Sequence, residues 1–196
     1  MDEELYTRQE GMELTIPQSI TIIGCGGVGS WVALNIAMIG IKKLYLYDMD
    51  IVEASNLNRT PYKIKQIGKK KVIALKELIF ERRNDCEVIS NAKEFDTPEL
   101  ASELYIDCSD NVIKSVPTIK VGYDGKSFTI NTTKNKNVWG VNGRSITYNV
   151  PSFLLTPQLV ANIVCGLVVL NNNQEFVKTM DILEVYEYIR SKKEAK

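Results

Sequence analysis

Short apolar runs alternate with helical patterns along this chain, the rhythm of an α/β domain. Ser19-Ile20-Thr21-Ile22-Ile23 is a β-branched run of strand length and reads as a buried strand. A helix is predicted from Val28 to Ile39, closed by Gly40, and a second strand over Lys43 to Tyr47. Ile67 to Arg82 places Val72, Leu75, Leu78 and Ile79 on one face of an amphipathic helix. Glu87 to Ser90 is the third strand and Leu104 to Ile106 the fourth, ending at Asp107. Between them Thr97-Pro98-Glu99 opens a short helix, with Thr97 as its N-cap and Pro98 at its first position. Ser127 to Thr132 and Arg144 to Val150 read as later strands, separated by a polar, glycine-punctuated flexible loop from Asn135 to Gly143. Pro157 to Leu170 is apolar on all sides, which predicts a buried helix. Met180 to Arg190 reads as a last helix with a frayed basic tail. With no internal repeat or low-complexity linker, this is one domain over residues 1–196. It has an N-terminal arm to about residue 18 and a C-terminal helical tail from about residue 173.

Composition narrows the chemistry more than the fold. Apolar residues make up 44% and charged residues 24%, as in an ordinary globular chain. A chain of 196 residues buries enough surface to fold without a disulfide or a metal. It has no histidine, which excludes Ser-His and Cys-His nucleophiles, an imidazole base and every His-ligated metal. Cys25, Cys86, Cys108 and Cys165 form no C-x-x-C, so a structural zinc is not expected. They read as reduced thiols of a cytoplasmic protein, with Cys86 exposed near a helix end and the others packed. The acidic N-terminus is not a signal peptide. The longest nearly apolar run, Leu159 to Leu170, is too short for the roughly 20 residues of a membrane span. Lysine plus arginine equals aspartate plus glutamate at 24 each, which gives no overall pull toward nucleic acid or anionic membrane. Residues 60–76 nevertheless hold six lysines and no acid. Such a run is ordinarily a solvated face, and it matters only where something nearby must hold phosphate.

Gly24-Cys25-Gly26-Gly27-Val28-Gly29 supplies that possibility. It satisfies G-x-G-x-x-G directly between the first strand and the first helix. The first glycine permits the tight turn, the second lets backbone approach a phosphate, and the third lets helix and strand pack closely. The helix N-terminus then offers N–H groups to an anion. Asp48 stands 19 residues after Gly29, at the end of the second strand, where a carboxylate can accept from a ribose hydroxyl pair. The pattern predicts a Rossmann-like, doubly wound α/β fold with a mainly parallel sheet and flanking helices. By itself it fits NAD or ATP. Residues 50–71 separate the two, because they place Arg59 and Lys71 just beyond the ribose acid. A dinucleotide dehydrogenase has no need of those cations, whereas a triphosphate does.

Several segments in order carry a family resemblance: Gly24 to Gly29, Ser55-Asn56-Leu57-Asn58-Arg59, Gly68-x-x-Lys71 and Asp107-Cys108-Ser109-Asp110-Asn111, preceded by Tyr6-Thr7-Arg8-Gln9. From residue 6 to about 115 the chain resembles the ThiF/MoeB/HesA-type adenylation domain shared with ubiquitin-activating enzymes. The resemblance implies that Gly24, Gly26, Gly27, Gly29 and Asp48 hold the adenosine side of ATP, with Asp50 beside the same pocket. It implies phosphate contacts from Asn56, Arg59 and Lys71, and magnesium on Asp110. It also implies that Arg8 reaches into the partner's site of a homodimer. The implied reaction adenylates the C-terminal Gly-Gly carboxylate of a small ubiquitin-like or sulfur-carrier protein and releases pyrophosphate. The catalytic set is then Arg8, Arg59, Lys71 and Asp110. Thr60 replaces the usual glutamine, the nearest base after Asn111 is Lys114, and the C-x-x-C pairs of many members are missing, which marks a divergent, minimal member. Other readings of the same residues are an NAD(P)-dependent oxidoreductase, a non-catalytic subunit of an activating-enzyme heterodimer, and an enzyme that activates a small carboxylate on tRNA.

Overall fold

The computed structural model describes residues 2–96, 102–110, 118–132, 152–170 and 177–191. The run Ser19–Ile23 forms strand β1, whose Ile20 and Ile22 are fully buried. Its parallel neighbours are β2 (Lys43–Tyr47) and β4 (Leu104–Asp107), and β3 (Glu87–Asn91) lies beyond β2. β5 (Thr118–Asp124) adds a fifth parallel strand beside β4. β6 (Ser127–Asn131) and β7 (Val177–Asp181) complete the sheet as antiparallel neighbours, giving the order β3-β2-β1-β4-β5-β6-β7. The chain leaves β1 toward β2 and β3, then returns to the other side of β1 with β4. The carboxyl ends of β1 and β4 therefore flank the topological switch point, where open α/β sheets take their ligands.

A short helix α1 (Asp2–Leu5) precedes the sheet, and α2 (Gly27–Ile39), α3 (Lys71–Phe80) and α4 (Leu155–Val169) share one core with it. Val32, Ile36, Leu75, Ile79, Val160 and Val164 supply much of that face. The opposite face carries a smaller aromatic cluster of Tyr45, Tyr47, Phe95 and Tyr105 around Ile23. Phe95 meets the Tyr47 ring edge-on at 5.0 Å. The last helix, α5 (Ile182–Ser191), follows β7 directly.

The structure corrects several boundaries. The third helix begins at Lys71 rather than Ile67, because Ile67 to Lys70 turn through Gly68 at φ +86° and Lys70 forms an isolated bridge to Ile51. α4 is not buried all round: Leu155 and Asn162 are exposed, as is Leu170 just after it. The C-terminal segment is not all helix, since β7 enters the sheet before α5 starts. β5 was not expected at all. The short helix at Thr97, the loop from Asn135 to Gly143 and the strand from Arg144 to Val150 lie outside the described residues.

Candidate functional site

The glycine loop is shaped by what surrounds each glycine. Gly24 turns the chain at φ +82°, and a Cβ there would stand 2.9 Å from the Ser109 backbone nitrogen. A Cβ on Gly29 would fall 1.9 Å from the Gly24 carbonyl oxygen, so helix and strand meet backbone to backbone. Gly27 faces the Tyr123 hydroxyl, 2.1 Å from where its Cβ would be. Gly26 alone in the loop has nothing within 4 Å of its Cβ position, which leaves room for a ligand to approach the backbone.

Asp48, at the end of β2, is tied into this loop. Its Oδ2 accepts from the Cys25 N–H at 2.7 Å and its Oδ1 from the Asp50 N–H at 2.8 Å. A carboxylate has about four acceptor positions, so each oxygen can still receive a ribose hydroxyl. Lys71, the first residue of α3, places Nζ 2.7 Å from Asp50 Oδ2 and 4.0 Å from Asp48 Oδ2. Met49, Asp50, Ile51, Glu53, Asn56 and Lys71 line a cleft of about 440 Å³. Asn56 is held there by its own turn, accepting the Glu53 N–H on Oδ1. Its Nδ2 has no partner among the described residues.

The lysine run sorts itself by pairing. Lys63 and Lys65 meet Glu81, Lys69 meets Glu77, and Lys70 donates to the Met49 carbonyl. Of the three consecutive lysines 69–71, Lys71 is the one that lines the cleft. Arg59 stands beside the cleft without lining it. Its Nη1 donates to the Ser55 carbonyl and to Asn58 Oδ1, at 3.1 Å for the latter. Nε and Nη2 have no partner among the described residues and remain available as a fork of donors. Asp110 is exposed, one residue past a turn that packs against Gly24. The structure thus gathers Asp50, Asn56 and Lys71 in one cleft, with Asp48 joining Lys71 to the glycine loop and Arg59 nearby.

Arg8 is not part of that gathering. It lies on an exposed 3₁₀ turn, Thr7–Gln9. Tyr6 pins this segment, stacking near the buried Arg83 guanidinium at 5.5 Å and close against Gly40. Gly40 caps the far end of α2 from the glycine loop, and the 13 residues of that helix span about 20 Å.

The thiols are packed rather than activated. Cys86 is buried, not exposed, because the Arg83–Asp85 pair and Tyr6 close over it. Burial pushes its pKa up to about 11 and that of Cys165 up to about 12. Burial also raises Cys25 and Cys108 well above the ordinary thiol value, with Asp48 and Asp107 adding to the shifts. None is a ready nucleophile at neutral pH.

The open backbone at Gly26, the Asp48 carboxylate and the Lys71 and Arg59 cations match a ribose followed by phosphates. Among the described residues no three of Asp, Glu and Cys cluster as a metal site. One carboxylate, Asp110, completed by phosphate oxygens and water, is the set that magnesium accepts.

A profile described as the ThiF family matches residues 6–123, more than half of the chain. The chain belongs to the ThiF family. The tRNA threonylcarbamoyladenosine dehydratase of Bacillus subtilis is 31% identical over 125 residues, 60% of this chain and 49% of that protein. The adenylyltransferase and sulfurtransferase uba4 of Aspergillus niger is 33% identical over 130 residues, 57% of this chain and 26% of that protein. The chain therefore spans about half the length, or less, of these relatives. Among solved structures, E. coli MccB crystallised with ATP superposes with a TM-score of 0.65 at 15% identity, over 92% of this chain and 65% of that one. That likeness shows the fold alone. No described helix is long and apolar enough to cross a membrane.

Sequence reading missed some of the residues around the site. Glu53 lines the cleft and fixes the Asn56 turn through its backbone, yet an isolated glutamate gives no signal. Tyr123 and Lys120 come from β5, the strand that was not anticipated. The signal available for Lys120 was a lone lysine between Ile119 and Val121, both buried.

Proposed function

We propose that this ThiF-family chain uses ATP and magnesium to adenylate the C-terminal carboxylate of a small ubiquitin-like or sulfur-carrier protein, with release of pyrophosphate. The observation that carries the reading is the pairing of a ribose-type acid with a phosphate-type cation. Asp48, anchored by two N–H groups that include one from the glycine loop, stands 4.0 Å from the Nζ of Lys71, which lines the cleft, and Gly26 of the same loop has open space beside its backbone. The attacking carboxylate has an ordinary pKa near ~4 and is ionised at neutral pH. No general base is needed, in keeping with a chain that has no histidine. What the reaction needs is charge compensation where anion meets polyanion and where negative charge builds on the leaving group. Lys71 and the free edge of the Arg59 guanidinium supply it from this chain. Asp110 would hold the magnesium that offsets the remainder. Positioning of the two reactants supplies the rest.

Two rival readings are less well supported. An NAD(P) oxidoreductase makes no use of Lys71 in the cleft. A tRNA substrate has a precedent in the name of the Bacillus relative, but three of the six 60–76 lysines are paired with Glu77 and Glu81 and a fourth, Lys71, with Asp50, which weakens any free basic face. ATP–pyrophosphate exchange against a panel of small proteins ending in Gly-Gly, with bulk tRNA as the other arm, tests the reading. Exchange stimulated by one such protein supports it. Stimulation by tRNA alone would contradict it.

Arg8 gives the proposal its assembly. Beyond the far end of α2 it cannot serve its own glycine loop, so a role at the phosphates requires a second copy in a homodimer. Arg8→Ala and Asp110→Ala should each be inactive alone. Mixed, with subunit exchange allowed, they should recover about a quarter of wild-type exchange, because half the dimers then carry one intact site of two. A mixture as dead as its parents while hybrid dimers are demonstrably present would remove Arg8 from the mechanism.

A further inference from the structure

A buried ion pair lies beneath the turn that presents Asp110. Asp107 ends β4 with no exposure to solvent, and Lys120 of the adjacent strand β5 is its register partner. Lys120 Nζ stands 3.0 Å from Asp107 Oδ2, with both side chains under a tenth exposed. The pair does more than neutralise itself. Asp107 Oδ1 accepts the Ser109 N–H at 3.0 Å and the Ser109 hydroxyl at 2.7 Å, and Lys120 donates to the Ser109 carbonyl. Every polar group of Ser109 is thereby held by two side chains fixed in the sheet. From the other side, the Cys108 N–H donates to the Ile23 carbonyl, and Gly24 backs onto Ser109. The next residue along is Asp110.

We propose that Lys120, acting through Asp107, is a positioning residue: it locks the Ser109 turn so that Asp110 meets a nucleotide-bound magnesium ion without reorganising. This rests on the ATP reading above and adds to it a residue that none of the sequence motifs contains. Removing a positively charged partner from a buried carboxylate is costly by itself, whereas replacing both charges by neutral groups of similar size is often tolerated. A fold-only role and a positioning role therefore separate in the double variant. A residue that orients a metal ligand changes metal affinity about 10-fold or more when lost.

The test measures ATP affinity of the full chain by titration calorimetry, once with EDTA and once with excess magnesium, alongside a thermal melt. Asp110→Asn sets the loss expected when the ligand itself is removed. Lys120→Met/Asp107→Asn should remain folded and bind metal-free ATP within about 3-fold of wild type, while the gain in affinity on adding magnesium falls about 10-fold. Lys120→Arg should keep most of the gain. If the double variant does not fold, Ser109→Ala removes only the hydroxyl donated to Asp107, and a selective loss of about 3-fold in the magnesium gain is then the expected result. A folded double variant with the full magnesium gain, or Ser109→Ala unchanged where that variant is used instead, would overturn the positioning role and leave the ATP reading intact. Wild-type chain that binds no ATP under either condition would overturn the ATP reading and this proposal with it.

Discussion

Gly29→Ala is expected to destabilise the protein by at least ~3 kcal/mol, a large share of the total stability of a domain this size. Its new Cβ would lie 1.9 Å from the Gly24 carbonyl oxygen and 3.3 Å from Cys108 Cβ. Neither neighbour can yield easily. Gly24 is itself in a left-handed turn at φ +82° with the Ser109 backbone against it, so moving its carbonyl disturbs the β4 turn as well. Gly26→Ala is the informative contrast. Its backbone is not in the left-handed region (φ −79°), and nothing stands within 4 Å of its Cβ position. It should melt within ~1 kcal/mol of wild type yet lose about 10-fold or more in ATP affinity, because a methyl group then fills the approach to the loop backbone. Urea midpoints and ATP titrations on the two variants check both halves. A stable Gly29→Ala, or a Gly26→Ala that binds ATP normally, would contradict this account of the loop.

Lys71→Ala should lower pyrophosphate exchange by about 100- to 1,000-fold, the loss usual when one donor to developing charge is removed. The fold should lose far less. The lysine's close partner, Asp50, is more than half exposed, and such a pair is worth about 0.5 kcal/mol, while the buried Asp48 carboxylate 4.0 Å away adds to the cost. Asp48 keeps both of its N–H donors from Cys25 and Asp50. Initial exchange rates and a thermal melt on the same preparation separate the two effects. Lys69→Ala and Lys70→Ala serve as controls, because neither lines the cleft. Equal losses from all three would mean that the run acts as a diffuse basic field rather than through Lys71.

The glycine loop, Asp48 and the strands that carry them were legible because each obeys a local rule. β1 and β2 are short runs dominated by β-branched, apolar and aromatic residues, and glycines mark the turn after β1 and the end of α2. The elements missed break such rules for tertiary reasons. β5 puts Lys120 on the sheet face opposite the main core and a glycine two residues later, so its apolar alternation does not stand out. β7 is an edge strand, Val-Lys-Thr-Met-Asp, whose polar residues read as the start of a helix. The start of α3 was placed four residues early because Ile67 continues the apolar spacing. Only the left-handed Gly68 and the Ile51–Lys70 bridge show that the chain is still turning there. Which of three consecutive lysines enters the cleft depends on where that helix begins; the Gly68-x-x-Lys71 spacing singles out Lys71, and Lys71 is the one that lines the cleft. Arg8 carries no local signal of its position. What sets it is the packing of Tyr6 against Arg83 and Gly40, residues distant in sequence.

The central claim is that this cleft holds a triphosphate nucleotide, and equilibrium binding to the purified chain tests it most directly. ATP with magnesium and NADH are titrated separately against the same sample, by calorimetry for the first and nicotinamide fluorescence for the second. The account predicts saturable ATP binding that weakens in Lys71→Ala, and no change in NADH fluorescence. Saturable NADH binding that is indifferent to Lys71, with none for ATP, would contradict it.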